Sequence, residues 1–527
     1  MKFHPRSCGC LLASALLAAS AAFAQDATPS APAAPPPPPP PPATAQPQVT
    51  PRRGPVSAVA AAARAARDDR AAQIAAPAAP DPASYATLVS ANNRFALDLF
   101  RQVTPGPNEN VFLSPYSISA ALAMTWAGAK GDTAAQMARV LHFFDAPDAA
   151  ILANFPPLQQ ALARAQILSG AQLAIANSLW PEQNPEAPLR PDYLHLAQTN
   201  FAATITPVDF INQAAAATEQ INAWVVDNTN GKINNLLHPG DVDANTRLVL
   251  VNAIYFKGAW TNIFSARLNT NADFHAADGS AIACVLMNNW QHTGYADITD
   301  APVPCQVLSL SYSDPSQPYP PGLSFVAILP RAGGDLAALE QSLTAERLAD
   351  WLGHCENTYV SVFLPKFKLE ERYPLANNLK SMGVTDAFDS RQADFSGMNG
   401  DLGPTKLYIS TVIHQTFVAV DEKGTEAAAA TAVTMLGGAG PPQPPPIEFR
   451  ADHPFLFLIR DNVSGSILFL GQLTNPPPLH EDIQPLPARR GGSRRGGPRS
   501  TAGGRSPLNP GDPTPTATPP PAASSTP

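Results

Sequence analysis

Three residues look at first like a catalytic set: Ser114, His414 and Asp421. In such a triad the serine oxygen attacks a carbonyl, the histidine takes its proton, and the acid orients the imidazole through a hydrogen bond. That requires His414 and Asp421 side by side. The run Thr411 to Val420 is β-rich, and along one extended strand the two lie roughly 20 Å apart. The orienting bond is excluded, so no residue is assigned as catalytic and the chain is expected not to be an enzyme. The sequence has no glycine-rich phosphate loop, His-Glu-x-x-His helix, Gly-x-Ser-x-Gly elbow or paired-cysteine zinc spacing. Neither a cofactor nor a metal is expected.

A different stretch carries the signal. Glu422-Lys-Gly-Thr-Glu426 leads into Ala427, Ala428, Ala429 and Ala430, then Thr431, Ala432 and Val433. Read alone it is a helix, because alanine is the best helix former and Thr425 is a fair N-cap. Its surroundings argue otherwise: a strong strand ends at the charged turn Asp421–Gly424, and a Gly/Pro-rich segment, Gly437–Pro446, follows. Five other motifs accompany it. They are Asn110-Val-Phe-Leu-Ser-Pro-Tyr-Ser-Ile-Ser119, Asn252-Ala-Ile-Tyr-Phe-Lys-Gly-Ala-Trp260, Leu364-Pro-Lys-Phe367, Ala393-Asp-Phe-Ser-Gly397 and Phe449-Arg-Ala-Asp-His-Pro-Phe455. In this order, over residues 84–475, they resemble the serpin family of protease inhibitors.

The resemblance implies an α+β, serpin-like fold with three β-sheets, about eight to nine helices and an exposed reactive loop. A target serine protease, or a cysteine protease, cuts the loop and becomes covalently acylated to it. The loop then enters the main sheet as a new strand; this strand addition is a family trait, not a deduction from these residues. Glu422, Gly424, Thr425, Glu426 and Ala427 to Ala430 match the hinge of inhibitory members. Ser114, Ser117, Asn252 and His414 match the polar cluster where the sheet opens. Trp260, Lys366 and Glu422 match the gate at the top of the sheet, with Lys366 and Glu422 paired. Small side chains at Ala427–Ala430 suit a strand that must pass through a packed interior, although alanine is a poor strand former.

The sequence departs from the family pattern after the hinge, where Ala439–Glu448 is long and proline-rich. Family spacing counted from Glu422 puts the reactive bond at Gly438–Ala439. Proline cannot donate to a β-ladder, so the insertable strand must end before Pro441. The rival is a cut after Met435 or Leu436, whose side chains fill an apolar pocket better.

The elements that must position these residues are legible in outline. Leu88, Phe95 and Leu99 recur on one helical face, Ser117 is placed to cap a second helix through Ile118, Leu122 and Trp126, and Ala215–Asn228 reads as a third helix. Leu248–Phe256 is almost continuously apolar, as in a strand buried on both faces. Ser324–Leu329 and Tyr359–Leu364 read likewise, and Phe455–Ile459 with Ser466–Leu473 reads as a hairpin about Asp461–Gly465. Helices early and strands late favour α+β over alternating βαβ units.

The ends differ from the middle. Residues 1–24 read as a signal peptide: Lys2 and Arg6, an apolar stretch of about a dozen residues, and Ala22-Phe-Ala24 before the cut. Residues 25–83 and 476–527 read as disordered Pro-rich arms, and they carry much of the chain's 59 prolines. Export to the periplasm or the medium is expected. Cys284, Cys305 and Cys355 remain after cleavage, so no disulfide framework is expected. The net charge of -8 and the lack of another long apolar run argue against a nucleic-acid partner and a membrane span; a monomer is expected. The leading function is suicide inhibition. The alternative is a non-inhibitory serpin-like binding protein or chaperone, and a third is an interaction module using the arms.

Overall fold

The computed structural model describes residues 78–104, 106, 108–313, 322–331, 334–403, 405–426 and 447–479. The signal peptide, Ala427–Ala430, Met435, Leu436 and the Gly438–Ala439 bond lie outside the described residues.

Helix Ala86–Val103 buries Leu88, Phe95 and Leu99 along one face. Helix Pro115–Ala127 is buried from Pro115 to Trp126, as expected of a helix that is apolar on all sides. Its cap corrects the expectation. Ser114, not Ser117, is the N-cap, its Oγ accepting from the Ser117 N–H at 3.4 Å, with Pro115 in the first turn. The third helix starts earlier than expected, at Phe210, where Asp209 accepts from Asn212 N–H at 2.8 Å, and it kinks at Gln213 before running to Asn228.

The strands form two hydrogen-bonded networks. The six-stranded sheet has the order β10 (Phe367–Pro374), β11 (Thr411–Asp421), β12 (Gly424–Thr425), β4 (Leu248–Ala259), β2 (Gln172–Pro181), β3 (Thr204–Ile205). The nine-stranded network runs β1 (Val111–Leu113), β15 (Ile467–Leu473), β14 (Phe455–Asp461), β8 (Leu323–Pro330), β7 (Cys305–Tyr312), β6 (Ala281–Ile298), β9 (Glu356–Pro365), β13 (Ile447–Arg450), with β5 (Thr270–His275) also on β6. It is two sheets sharing one strand. The first part of the 18-residue β6 pairs with β5, its last five residues pair with β7, and β9 lies along the stretch Leu286–Tyr295. The three expected sheets are therefore present, two of them joined through β6. Eleven α-helical segments occur among the described residues, and short ones such as Asp148–Ala153 and Ser396–Asn399 account for the excess over eight or nine.

β4 shows why its sequence is apolar throughout. Leu250, Ile254 and Phe256 join the main core, whereas Val249, Val251 and Ala253 pack on the other face with Ile221 and Val225 of helix Phe210–Asn228. Both faces of β4 are covered from Leu248 to Phe256, so a strand added beside that stretch enters a packed layer.

Candidate functional site

The centre of the six-stranded sheet has an unusual seam. β11 and β4 pair directly and in parallel, from Thr411 opposite Val249 to Phe417 opposite Tyr255. Beyond that they part, and β12 fills the gap, antiparallel to both: Thr425 lies opposite Val420 and Gly258, Gly424 opposite Asp421 and Ala259. The segment that reads as helix from its alanines thus begins as strand. Asp421 Oδ1 turns the chain back by accepting from the Lys423 N–H at 2.8 Å and the Gly424 N–H at 3.2 Å. Gly424 is required by close approach, since a Cβ there would sit 2.8 Å from Ala259 Cα and clash with the Gly258 carbonyl.

Thr425 is fully buried, and its hydroxyl meets Tyr312 Oη at 2.6 Å. Burial pushes the Tyr312 hydroxyl up, so it stays protonated. The Tyr312 ring stacks on Trp260 with centroids 4.9 Å apart. Trp260 Nε1 donates to the Asp421 carbonyl at 2.8 Å, and its backbone N–H donates to the Lys423 carbonyl at 2.9 Å. Glu426, the last described residue of the hinge, has φ of 47° and continues the ladder by donating its N–H to the Ala419 carbonyl at 2.7 Å. Its carboxylate pairs with Lys232. Burial, helped by Glu426, pushes the Tyr255 hydroxyl up to about 12.

The structure brings Lys366 and Glu422 together, Nζ to Oε1 at 3.0 Å, both largely buried. Asn269 Nδ2 donates to the same oxygen at 2.6 Å. Burial opposes ionisation here, but the Asn269 and Lys366 donors prevail and hold the Glu422 carboxyl below its ordinary range.

Midway along the seam lies a second cluster. The His414 ring is fully buried between strands, and burial pushes its pKa down to about 3, so it is neutral. Its Nε2 accepts the Ser114 backbone N–H at 3.0 Å, which leaves the proton on Nδ1 to donate to Asn252 Oδ1. Asn252 Nδ2 donates to Ser117 Oγ at 2.5 Å, and Ser117 Oγ donates to Asn177 Oδ1 at 2.8 Å. Ser114 Oγ donates instead to the Leu468 carbonyl at 2.6 Å. The serine hydroxyl and the histidine are thus not a nucleophile and its base. Asp421 is engaged at the far end of β11. All four expected residues meet, and a fifth, Asn177, joins them. Asn177, Tyr312 and Asn269 were not foreseen, because each is a single polar residue in a strand or turn with no motif around it.

Cys284, Cys305 and Cys355 are free thiols, raised by burial to about 11, 12 and 11. Among the described residues no group of three or more His, Cys, Asp or Glu could hold a metal, and no helix is long and apolar enough to cross a membrane.

Comparison with known proteins agrees with this architecture. Residues 90–476 match the family model described as Serpin (serine protease inhibitor). The leukocyte elastase inhibitor of Homo sapiens is 40% identical over 398 residues, covering 74% of this chain and 99% of that protein. Uncleaved ovalbumin superposes with a TM-score of 0.62 at 29% identity, over 74% of this chain and 100% of that one. Tengpin, a thermophilic serpin in its native state, gives 0.64 at 29% identity, over 73% and 94%. A parted central sheet, a hinge strand in the gap and a sequence match across the whole folded region have one common explanation: this chain belongs to the serpin family.

Proposed function

We propose that this protein is a suicide-type inhibitor of serine proteases, not an enzyme, and that it traps its target by taking its own cut loop into the six-stranded sheet. The observation that carries the reading is the polarity of the seam. β11 and β4 run parallel, the less stable pairing per residue, and β12 already lies antiparallel to both. A loop that continued along β12 would exchange one parallel ladder for two antiparallel ones. The small residues Ala427 to Ala430 come next in the chain and suit a strand entering beside β4, which is covered on both faces.

The reactive bond is assigned to Gly438–Ala439. Glycine offers no side chain to a specificity pocket, which favours a protease with a narrow, elastase-like pocket. The leukocyte elastase inhibitors among the similar proteins point the same way. The leader at residues 1–24 supports export, and the partner is the acylated protease bound to one monomer.

Incubation with a panel of serine and cysteine proteases tests this. An SDS-resistant complex of summed mass is expected. Cleavage of every protease-sensitive loop without such a complex would favour the second reading, a non-inhibitory binding protein. That reading draws on the fold neighbour thyroxine-binding globulin, solved with thyroxine, and the alanines of the hinge speak against it.

A further inference from the structure

Strands β6 and β7 run together only at one end. Gly294 to Ile298 pair with Ser309 to Cys305, and before Gly294 the two part. There β6 follows β9. β7 turns instead to the stretch after β4: Tyr312 bridges to Trp260, and the Thr261 N–H donates to the Ser311 carbonyl at 2.9 Å. The fork between them holds a pocket of about 150 Å³. A cavity of that size takes a benzene-sized molecule when its walls are apolar. These walls are polar.

Floor and rim differ in burial. Gln291, Thr293 and Leu310 are buried, whereas Asn262, His292 and Asn357 are exposed. Thr293 Oγ1 is already engaged, donating to the Ser309 carbonyl at 2.6 Å. Gln291 is not. The residue is 6% exposed, and its Nε2 has no hydrogen-bond partner among the described residues. A buried donor left unsatisfied is costly, and one that lines an open pocket finds its acceptor there. Among the described residues that form the lining, none is Asp, Glu, Lys or Arg. A charged ligand would lose its water without gaining a countercharge. The walls therefore suit a neutral molecule whose groups both accept and donate. Asn262 Nδ2 reaches the His292 carbonyl at 3.4 Å, and the Asn262 and Asn357 amides each carry an acceptor oxygen at the rim. A hydroxyl accepts and donates with one atom.

We infer that the fork is a binding site for a small neutral polyol of glycerol size. One hydroxyl accepts from Gln291 Nε2 on the floor, and another donates to the amide oxygens of the rim. The site does not depend on how the loop is used, but it touches the hinge through one wall. Trp260 and Thr261 line the pocket, and Trp260 holds the turn before β12 through its indole and its backbone N–H. An occupant that needs this wall in place stabilises the native arrangement by linkage.

The test uses the full chain with glycerol as the probe, titrated by saturation-transfer NMR. The wild type should give a saturable signal. Gln291→Leu should weaken binding on the order of tenfold, and Asn357→Ala about threefold. Sodium acetate, an anion of similar size, should not compete. The melting temperature should rise in step with occupancy in the wild type. In Gln291→Leu only the gradual, non-saturating rise that excluded osmolytes give any protein should remain. If Gln291→Leu fails to fold, Asn357→Ala carries the measurement, because that residue is exposed. Absence of a saturable signal would leave the pocket to ordered water and overturn the inference. Equal binding by the wild type and both variants would place the polyol elsewhere and overturn it too. Competition by acetate as strong as that by unlabelled glycerol would overturn the neutral class of ligand.

Discussion

Substituting Thr425→Arg would place a guanidinium where Tyr312 and the main chain of Val420 and Gly258 now enclose a hydroxyl. Position 425 is already buried between β11 and β4 before any cut, so the charge either stays buried at a cost of several kcal/mol or drives the hinge out of the gap, and both oppose insertion. The variant should be cut rather than trapped, and an SDS gel with the target should show cleaved inhibitor and free protease; undiminished complex would count against insertion. Glu422→Lys sets two cations against each other where Lys366 and Asn269 now hold one carboxylate. A largely exposed pair would be worth about 0–1 kcal/mol, and this one is more enclosed, so the expected effect is on closure of the gap. Native gels after mild heating should show polymers in the variant. The wild type should follow the same course in acid. The folded carboxyl lies below its ordinary value of 4.5, so its contribution is complete above that pH and is lost as pH falls through the depressed folded value. His414 titrates with the same sign in another window. It is neutral in the fold and protonates in the unfolded chain, so stability declines as pH falls from 6.5 toward about 3, by at most about 1.4 kcal/mol per pH unit. His414→Gln should flatten the dependence of melting temperature on pH below 6.5, and an unaltered slope would mean the imidazole is not the group responsible.

The loop and the strands around it decide where the chain is cut. From Thr425 to Gly438 there is no proline, and at ~3.3 Å per residue that span extends about 45 Å. A cut after Met435 or Leu436 would shorten it by roughly 7–10 Å and favour turnover over trapping. Mass spectrometry of the peptide released on complex formation should find Ala439 at its N-terminus; a peptide starting at Leu436 or Gly437 would place the loop in another frame. The elements themselves were unevenly legible. β4, β11 and the β14–β15 hairpin stand out in the sequence because they are apolar or β-branched and end at clear turns. β6 does not: Asn288, Asn289, Gln291, His292 and Thr293 interrupt it where it passes from one sheet to the other, and of these only His292 is exposed. β12 is two residues long and is dictated by its neighbours, against the helical preference of the alanines after it. His414, Asn252, Ser114 and Ser117 could be found from motifs. Asn177 became visible only when β2 was laid beside β4.

For the molecule as a whole, the proposed mechanism makes the native arrangement short of one strand. Filling the seam adds about a dozen backbone hydrogen bonds at ~1 kcal/mol each, on the order of 10 kcal/mol. At about 2 °C per kcal/mol for a large domain, cleavage of the loop by a non-target protease should raise the melting temperature by about 20 °C. Calorimetry of intact and nicked protein decides this, and equal transitions would point to a non-inhibitory relative. The seam also fixes how the protein must be counted. On the proposed insertion, β11 and β4 would be held apart by a chain bonded along both edges, the parallel contact from Thr411 to Phe417 would have nowhere to re-form, and the used molecule could not be reset. Protection is then a matter of numbers rather than of affinity. Under the proposed mechanism each copy would silence one protease, every stray cut would withdraw a copy from service, and only fresh synthesis would restore the supply.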